Sequence, residues 1–172
     1  MVATRLRRTQ TVASTVGLIA AVAAVAFGLS ACGSSNAGSE HFSGPIYEVE
    51  TAQVSGLGSV LVDGQGFTLY LYEPDAQSGH SRCSGPCAVE WSPITLTSGV
   101  KSPIAGPGVQ ASLLSTTRRS DGTVQVTYDK WPLYTWAQDT APGQATGEGL
   151  DNLGGVWYVL DSSGNPIERP PA

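Results

Sequence analysis

The sequence predicts a small all-β domain made of two related halves. Helical periodicity is not sustained over three turns anywhere after residue 32. The 21 glycines and 11 prolines divide the chain into short segments. The segment at residues 66–75 (GFTLYLYEPD) recurs at residues 130–139 (KWPLYTWAQD), an offset of 64 residues. We therefore expect two pseudo-repeated β-hairpin units joined by long loops rich in glycine and serine.

The first 31 residues predict a lipoprotein signal peptide. Three arginines precede an unbroken run of 14 apolar and small residues, from residue 16 to residue 29. A membrane-spanning helix takes about 20 residues, so this run fits the apolar region of a signal peptide instead. The run ends in LSAC at residues 29–32, which is typical of a lipobox. We expect cleavage before Cys32; an ordinary secretory signal and an uncleaved anchor helix are the alternatives.

The lipid on Cys32 would place the protein at the cell membrane, on its extracytoplasmic face. Two or more acyl chains on one residue anchor a protein stably. The polar stretch at residues 32–44 would be a flexible tether. The single β domain would occupy residues 45–172, with the first repeat at about 58–95 and the second at about 122–161.

The charge of the mature chain restricts its partners. Removal of the signal peptide leaves 141 residues, with 6 basic and 14 acidic side chains and a formal net charge of −8. An acidic chain of this kind is poorly suited to nucleic acid or to charge-driven binding of anionic lipid. We expect the membrane to be contacted through the lipid on Cys32, and the other partner to be a protein or a small-molecule ligand.

Each copy begins with a strand that turns back into the motif. Residues 60–63 and 124–128 are rich in β-forming residues, and a short turn containing Asp or Gly joins each of them to its motif. This pattern predicts a β-hairpin in each half. Leu69 and Leu133 are expected in the core. Residues 96–123, between the copies, resemble a loop with one or two weak strands.

Each copy then passes through a loop and ends at a tryptophan. Trp157 lies in residues 155–161 (GVWYVLD), which predict a strand, and Trp91 follows Pro86. Proline is favoured in the first turn of a helix, so one short helix is expected near the cysteine pair.

The repeated motif has a structural and a ligand-binding interpretation. In the structural one, its aromatic residues cover a sheet face or pack between the halves, and its aspartates bond to loop N–H groups two residues on. In the other, phenol, ring and carboxylate frame a ligand site once per half. The residues concerned are Tyr70, Tyr72 and Asp75 in the first copy and Tyr134, Trp136 and Asp139 in the second.

Cys83 and Cys87 are the only thiols left if Cys32 carries lipid. Outside the cytoplasm such a pair persists as a disulfide, and we expect this one to stabilise a local turn. The alternative is a redox or metal role, because His80 lies close by in sequence and reduced sulfurs bind soft metals. His80, Cys83 and Cys87 are thus weak metal candidates; no metal or other cofactor is expected.

The two motifs resemble the Tyr-x-aromatic-x-x-Asp signature of a family of predicted bacterial lipoproteins with a "secreted repeat of unknown function". The cysteine loop at residues 83–93 and the closing segment at residues 147–157 are similar to that family too. Ser92 departs from it, since members commonly carry a second proline there. The resemblance covers about residues 58–161 and implies export, lipidation and a two-copy domain. It implies no activity.

Catalytic patterns are scarce in the mature chain. It contains no Gly-x-Ser-x-Gly elbow, no His-Glu-x-x-His and no phosphate-binding glycine loop. No catalytic residue is therefore assigned, and a non-catalytic binding or interaction module is the function that we predict. A redox, electron-transfer or metal-handling accessory that uses Cys83 and Cys87 is the alternative.

Overall fold

Short β-strands make up most of the regular structure, as the sequence predicts. The computed structural model describes residues 41–168, so the predicted signal peptide, Cys32 and most of the tether lie outside the described residues. The strands are β1 Glu48–Val54, β2 Gly58–Asp63, β3 Tyr70–Tyr72, β4 Trp91–Pro93, β5 Ile104–Ala105, β6 Leu114–Arg118, β7 Val124–Tyr128, β8 Trp131–Pro132, β9 Tyr134–Trp136, β10 Leu150–Asn152 and β11 Gly155–Val159. In this part of the chain, no helix is long and apolar enough to cross a membrane.

The expected short helix is present beside the cysteine pair. It is α1, Pro86–Glu90, a little over one turn long, and it leads directly into β4. Pro86 occupies its first position, where an N–H group would have no partner within the helix. A single 3₁₀ turn, Glu73–Asp75, follows β3. The weak strands expected between the copies are β5 and β6.

Three sheets form in the described part of the chain. Two of them have the strand orders β2-β1-β5 and β6-β7-β8, and each is built on an antiparallel hairpin. The third is a five-stranded sheet with the order β10-β11-β3-β9-β4. Each half thus contributes its own hairpin sheet, and both halves contribute to the third sheet.

The two hairpins reach their motifs by turns of different length. The Leu69 N–H donates to the Leu61 carbonyl at 2.9 Å, and the Leu133 N–H donates to the Val126 carbonyl at 3.0 Å. Leu61 and Val126 are therefore equivalent, although they precede their partners by eight and seven residues. The shorter turn, at Asp129 and Lys130, has φ angles of 44° and 67°, as a two-residue type I′ turn requires.

The central sheet interleaves strands from the two halves. The first-half strand β3 lies between β11 and β9 of the second half, and β4 of the first half pairs with β9. Tyr70 lies directly opposite Tyr134. The halves are thus related by an approximate twofold operation, and each completes the sheet of the other.

Alternation along the motif strands produces two apolar clusters. Leu69, Leu71 and Leu133 are fully buried in one cluster, together with Leu61, Val126 and Leu160. The expectation that both motif leucines belong to the core is confirmed. The aromatic residues of the motifs point the other way and belong to the second cluster; they are Tyr70, Tyr72, Tyr134 and Trp136.

Candidate functional site

Four aromatic rings stack in one column within the aromatic cluster, on the side of the motif strands opposite the leucines. Their order is Tyr72, Trp157, Trp91 and Trp136, with centroid separations of 4.2, 3.9 and 4.1 Å. Successive rings come alternately from the first and the second repeat. Tyr70 meets Trp91 edge-on, and Tyr134 meets Trp157 in the same way, both at 5.2 Å. Aromatic pairs in these geometries add to the stability that their burial provides.

The motif tyrosines and aspartates bond across the two repeats. The Tyr70 hydroxyl donates to Oδ2 of Asp139 at 2.5 Å, and the Tyr134 hydroxyl donates to Oδ2 of Asp75 at 2.7 Å. The second oxygen of each carboxylate binds the loop that follows it. Oδ1 of Asp75 accepts the N–H of Arg82, and Oδ1 of Asp139 accepts the N–H of Thr146, in both cases seven residues on.

These pairs are enclosed by protein. Tyr70, Tyr134 and Asp75 have no exposed surface, and Asp139 is 5% exposed. Burial raises the pKa of both tyrosines well above its ordinary value, and the neighbouring carboxylates add to the rise. Burial also raises the pKa of Asp75, against the lowering effect of the Tyr134 hydrogen bond. The motif thus joins the two halves. The prediction that its aspartates bond to N–H groups two residues on is wrong, because the N–H groups that they bind lie seven residues on.

A buried arginine, which the sequence does not single out, distinguishes one pair from the other. Arg119 donates to the Ser81 hydroxyl at 2.7 Å, and this hydroxyl is also bonded to Tyr134. The same guanidinium donates to Gln125 Oε1 and to the Cys83 carbonyl. Burial raises the pKa of Asp75, and the positive charge of Arg119 opposes this rise. Only the Tyr134–Asp75 pair has this connection to a buried cation among the described residues.

Cys83 and Cys87 form a disulfide, with Cα atoms 5.2 Å apart. They are 1% and 9% exposed and pack in the aromatic cluster, whereas His80 is exposed. The bridge connects the loop after Asp75 to α1. Within residues 41–168, no group of three or more His, Cys, Asp or Glu side chains is placed to hold a metal ion.

A cavity of about 250 Å³ lies beside the second motif. That is slightly below the range typical of sites for drug-sized ligands, so it suits a smaller molecule. Its apolar lining residues are Ile46, Phe67, Pro93, Ile94, Trp136 and Ala137. Asp63 and Asp139 also line it, and the described lining residues include no Lys, Arg or His. The cavity combines aromatic and aliphatic walls with acidic groups.

Asp63 is held at this cavity by the turn between β2 and β3. Its Oδ1 accepts the N–H groups of Gln65 at 3.0 Å and of Phe67 at 2.9 Å. The residue is 2% exposed. Burial raises the pKa of Asp63, although the N–H groups of Phe67, Gln65 and Gly66 act in the opposite direction. No feature of the sequence singled out Asp63, because an aspartate in such a turn is common.

A family model described as a secreted repeat of unknown function matches residues 51–95 and 115–161. The two matched segments contain nearly all of the strands, including most of β1 and β6. No curated protein and no solved structure matches the chain.

Proposed function

Because the chain belongs to the family of the secreted repeat of unknown function, we propose that its β domain is a non-catalytic binding module held on the outer face of the cell membrane by lipid on Cys32. The observation that carries the binding role is the cavity beside Trp136. It lies between the turn after β2 and the neighbouring strands β4 and β9 of the interleaved sheet. A concave site on a rigid scaffold suits a small ligand.

The non-catalytic role is supported by how the motif uses its polar groups. In each Tyr–Asp pair, both carboxylate oxygens accept hydrogen bonds from the protein, and the tyrosine hydroxyl donates to the carboxylate. These groups stabilise the interface between the halves. The cavity presents mainly apolar surface, as expected of a site that holds a molecule.

The anchoring proposal rests on the LSAC sequence at residues 29–32. The distance that the tether can span depends on where the folded domain begins. The Gly44 N–H donates to the Gly64 carbonyl at 2.7 Å, and Ile46 lines the cavity. Eight residues lie between Cys32 and His41, and an extended chain covers about 3.5 Å per residue. Lipid on Cys32 would therefore keep the start of the β domain within reach of the membrane surface.

The redox alternative receives little support from the surroundings of the cysteines. Thiol–disulfide exchange requires a thiolate to reach one of the two sulfurs. Cys83 and Cys87 are buried against the aromatic column instead. We propose a structural role for this disulfide.

Lipidation can be tested by labelling cells with a palmitate analogue. Wild-type protein should take up the label and fractionate with membranes. Cys32→Ala should lose both properties, and Cys83→Ala serves as a control that keeps the lipobox. Equal labelling of the wild type and Cys32→Ala would overturn the anchoring proposal.

The binding role can be tested with a thermal-shift screen of small molecules on the mature domain. Ala137 is exposed and lines the cavity, so Ala137→Trp should fill it. Ala141 is also exposed but lies outside the lining, which makes Ala141→Trp a matched control. Ligands of the cavity should stabilise the wild type and Ala141→Trp and lose their effect on Ala137→Trp. A screen in which all three proteins respond alike would contradict the proposal.

A further inference from the structure

Within residues 41–168, the acidic groups of the cavity beside Trp136 have no positively charged partner. We propose that this cavity binds a small organic cation, namely an ammonium group on an apolar body. This inference deepens the binding role proposed above and rests on it. It depends on three features of the cavity: the free oxygen of Asp63, the uncompensated charge of the two aspartates, and the aromatic wall.

Asp63 offers one carboxylate oxygen to a ligand. Both of its side-chain hydrogen bonds end on Oδ1. Oδ2 accepts no bond of hydrogen-bonding geometry from the described residues, and it keeps some contact with solvent although Asp63 as a whole is only 2% exposed. A buried carboxylate gains strongly from a charged donor, since such hydrogen bonds are about twice as strong as neutral ones.

The charges at the cavity also favour a cation. Asp139 lines the cavity together with Asp63. Among the described residues, neither aspartate forms an ion pair, and Arg119 pairs with Asp121 instead. Asp75, the counterpart of Asp139 in the first repeat, is influenced by the charges of Arg119 and Arg82. Buried negative charge without a counter-ion is costly. A bound cation would supply at Asp63 and Asp139 what the arginines supply at Asp75.

The aromatic and apolar walls of the cavity suit the apolar body of such a ligand. Trp136 is the last ring of the aromatic column, so Trp91 covers one of its faces and no further ring of the column covers the other. Aromatic faces attract cations, and tryptophan does so most strongly. Phe67, Pro93 and Ile94 add apolar surface. The volume of about 250 Å³ limits the ligand to a small molecule.

Two probes of the same shape separate charge from apolar contact. Cyclohexylammonium chloride and cyclohexanol are titrated into the mature domain by calorimetry at constant ionic strength, with calcium chloride as a third titrant. We expect the wild type to bind cyclohexylammonium about ten-fold more tightly than cyclohexanol, the gain expected from a hydrogen bond to a charged group. This comparison requires no variant.

Asp63→Asn tests the residue itself. Asparagine can accept the same turn N–H bonds, so the turn is retained while the charge is lost. Asp161 is a matched control, because its Oδ1 accepts the N–H groups of Ser163 and Asn165 in the same two-and-four-residue pattern, away from the cavity. Asp63→Asn should weaken cyclohexylammonium binding about ten-fold and leave cyclohexanol unaffected. Asp161→Asn should change neither.

The outcomes distinguish this inference from the proposed function. Equal affinity for the two probes, or an unchanged affinity in Asp63→Asn, overturns the cation proposal and leaves a binding cavity. Binding of calcium without binding of cyclohexylammonium overturns it in favour of a metal ion. If neither organic probe binds and the Ala137→Trp screen is also negative, both proposals fail.

Discussion

The Tyr70 hydroxyl donates to Asp139 across the boundary between the two repeats, and Tyr134 donates to Asp75 in return. The tyrosine and the aspartate of one motif copy therefore bind different partners. Each copy supplies a donor to one buried pair and an acceptor to the other. The tyrosine and the aspartate of a copy are thus both placed for contacts with the other repeat, and they do not bond to each other.

Removing one of these hydroxyl groups should destabilise the domain. Tyr70→Phe leaves the buried Asp139 carboxylate without one of its donors, a change that costs about 1–3 kcal/mol. Urea unfolding of Tyr70→Phe, Asp139→Asn and the double variant should reveal coupling between the two positions. Tyr158→Phe is the control, since its hydroxyl has no hydrogen-bond partner among the described residues. A loss in Tyr70→Phe no larger than in Tyr158→Phe would contradict the assignment.

The motif leucines should be essential to stability. Leu69 and Leu133 are fully buried in the same cluster. Truncation of either to alanine should cost about 2–5 kcal/mol, through lost burial and the cavity that is left. Leu153→Ala, at a position that is 40% exposed, should cost much less. Chemical denaturation of the three variants measures these differences, and equal losses in all three would refute the placement of the motif strands.

Local patterns in the sequence predict the hairpins and the short helix well. The strand β7 covers the predicted residues 124–128, and Pro86 begins α1 as its residue type suggests. Alternation correctly separates Leu69 from Tyr70. These features depend on residues close together in the chain, where period and turn chemistry are sufficient.

The contacts by which each half completes the other have no such local signal in the sequence. Tyr70 and Asp139 are 69 residues apart, and nothing near either of them identifies the other as its partner. The buried Arg119 bonds to Ser81, which is 38 residues away. The cavity arises where the turn after β2 meets β4 and β9, so its outline appears only when the sheets are assembled.

High pH should unfold the domain. Burial raises the pKa of Tyr70 and Tyr134 above the ordinary value of 10.0. A raised pKa in the folded state means that the stabilising contribution is complete below pH 10 and is lost as the pH rises towards the folded-state value. The free energy of unfolding should therefore fall above about pH 10. Absorbance of tyrosinate and circular dichroism, followed together, should show two tyrosines ionising only as the fold is lost. Ionisation of all tyrosines in a folded domain would contradict this.

The disulfide should resist reduction while the domain is folded. Cys83 and Cys87 are 1% and 9% exposed, so we expect a thiol reagent to reach the bridge mainly after unfolding. Mass spectrometry with an alkylating agent should detect no free thiol in native protein treated with reductant, and two after urea is added. The Cys83→Ser/Cys87→Ser double variant should lose about 2 kcal/mol, the value for a short closed loop. Two free thiols in untreated protein would contradict the assignment.

Cutting the chain between the repeats should not separate the halves. A protease site inserted at the exposed Ser98 and Gly99 would leave β1–β4 on one fragment and β5–β11 on the other. The disulfide lies within the first fragment and cannot join them. The interleaved sheet and the alternating column should keep the fragments together in size-exclusion chromatography. Separation of the fragments without denaturant would show that the interleaved sheet and the aromatic column contribute little to holding the halves together.

The reciprocal pairing gives the parity of the repeat number a physical meaning. Two copies satisfy each other, because each tyrosine finds its aspartate in the other copy. A chain with one copy, or with three, would bury one tyrosine and one aspartate without a partner in the same molecule. Such a chain would gain most by associating with a second one about the same approximate twofold axis. By this reasoning, chains with an even number of copies could satisfy every motif within one molecule, whereas chains with an odd number would need a partner.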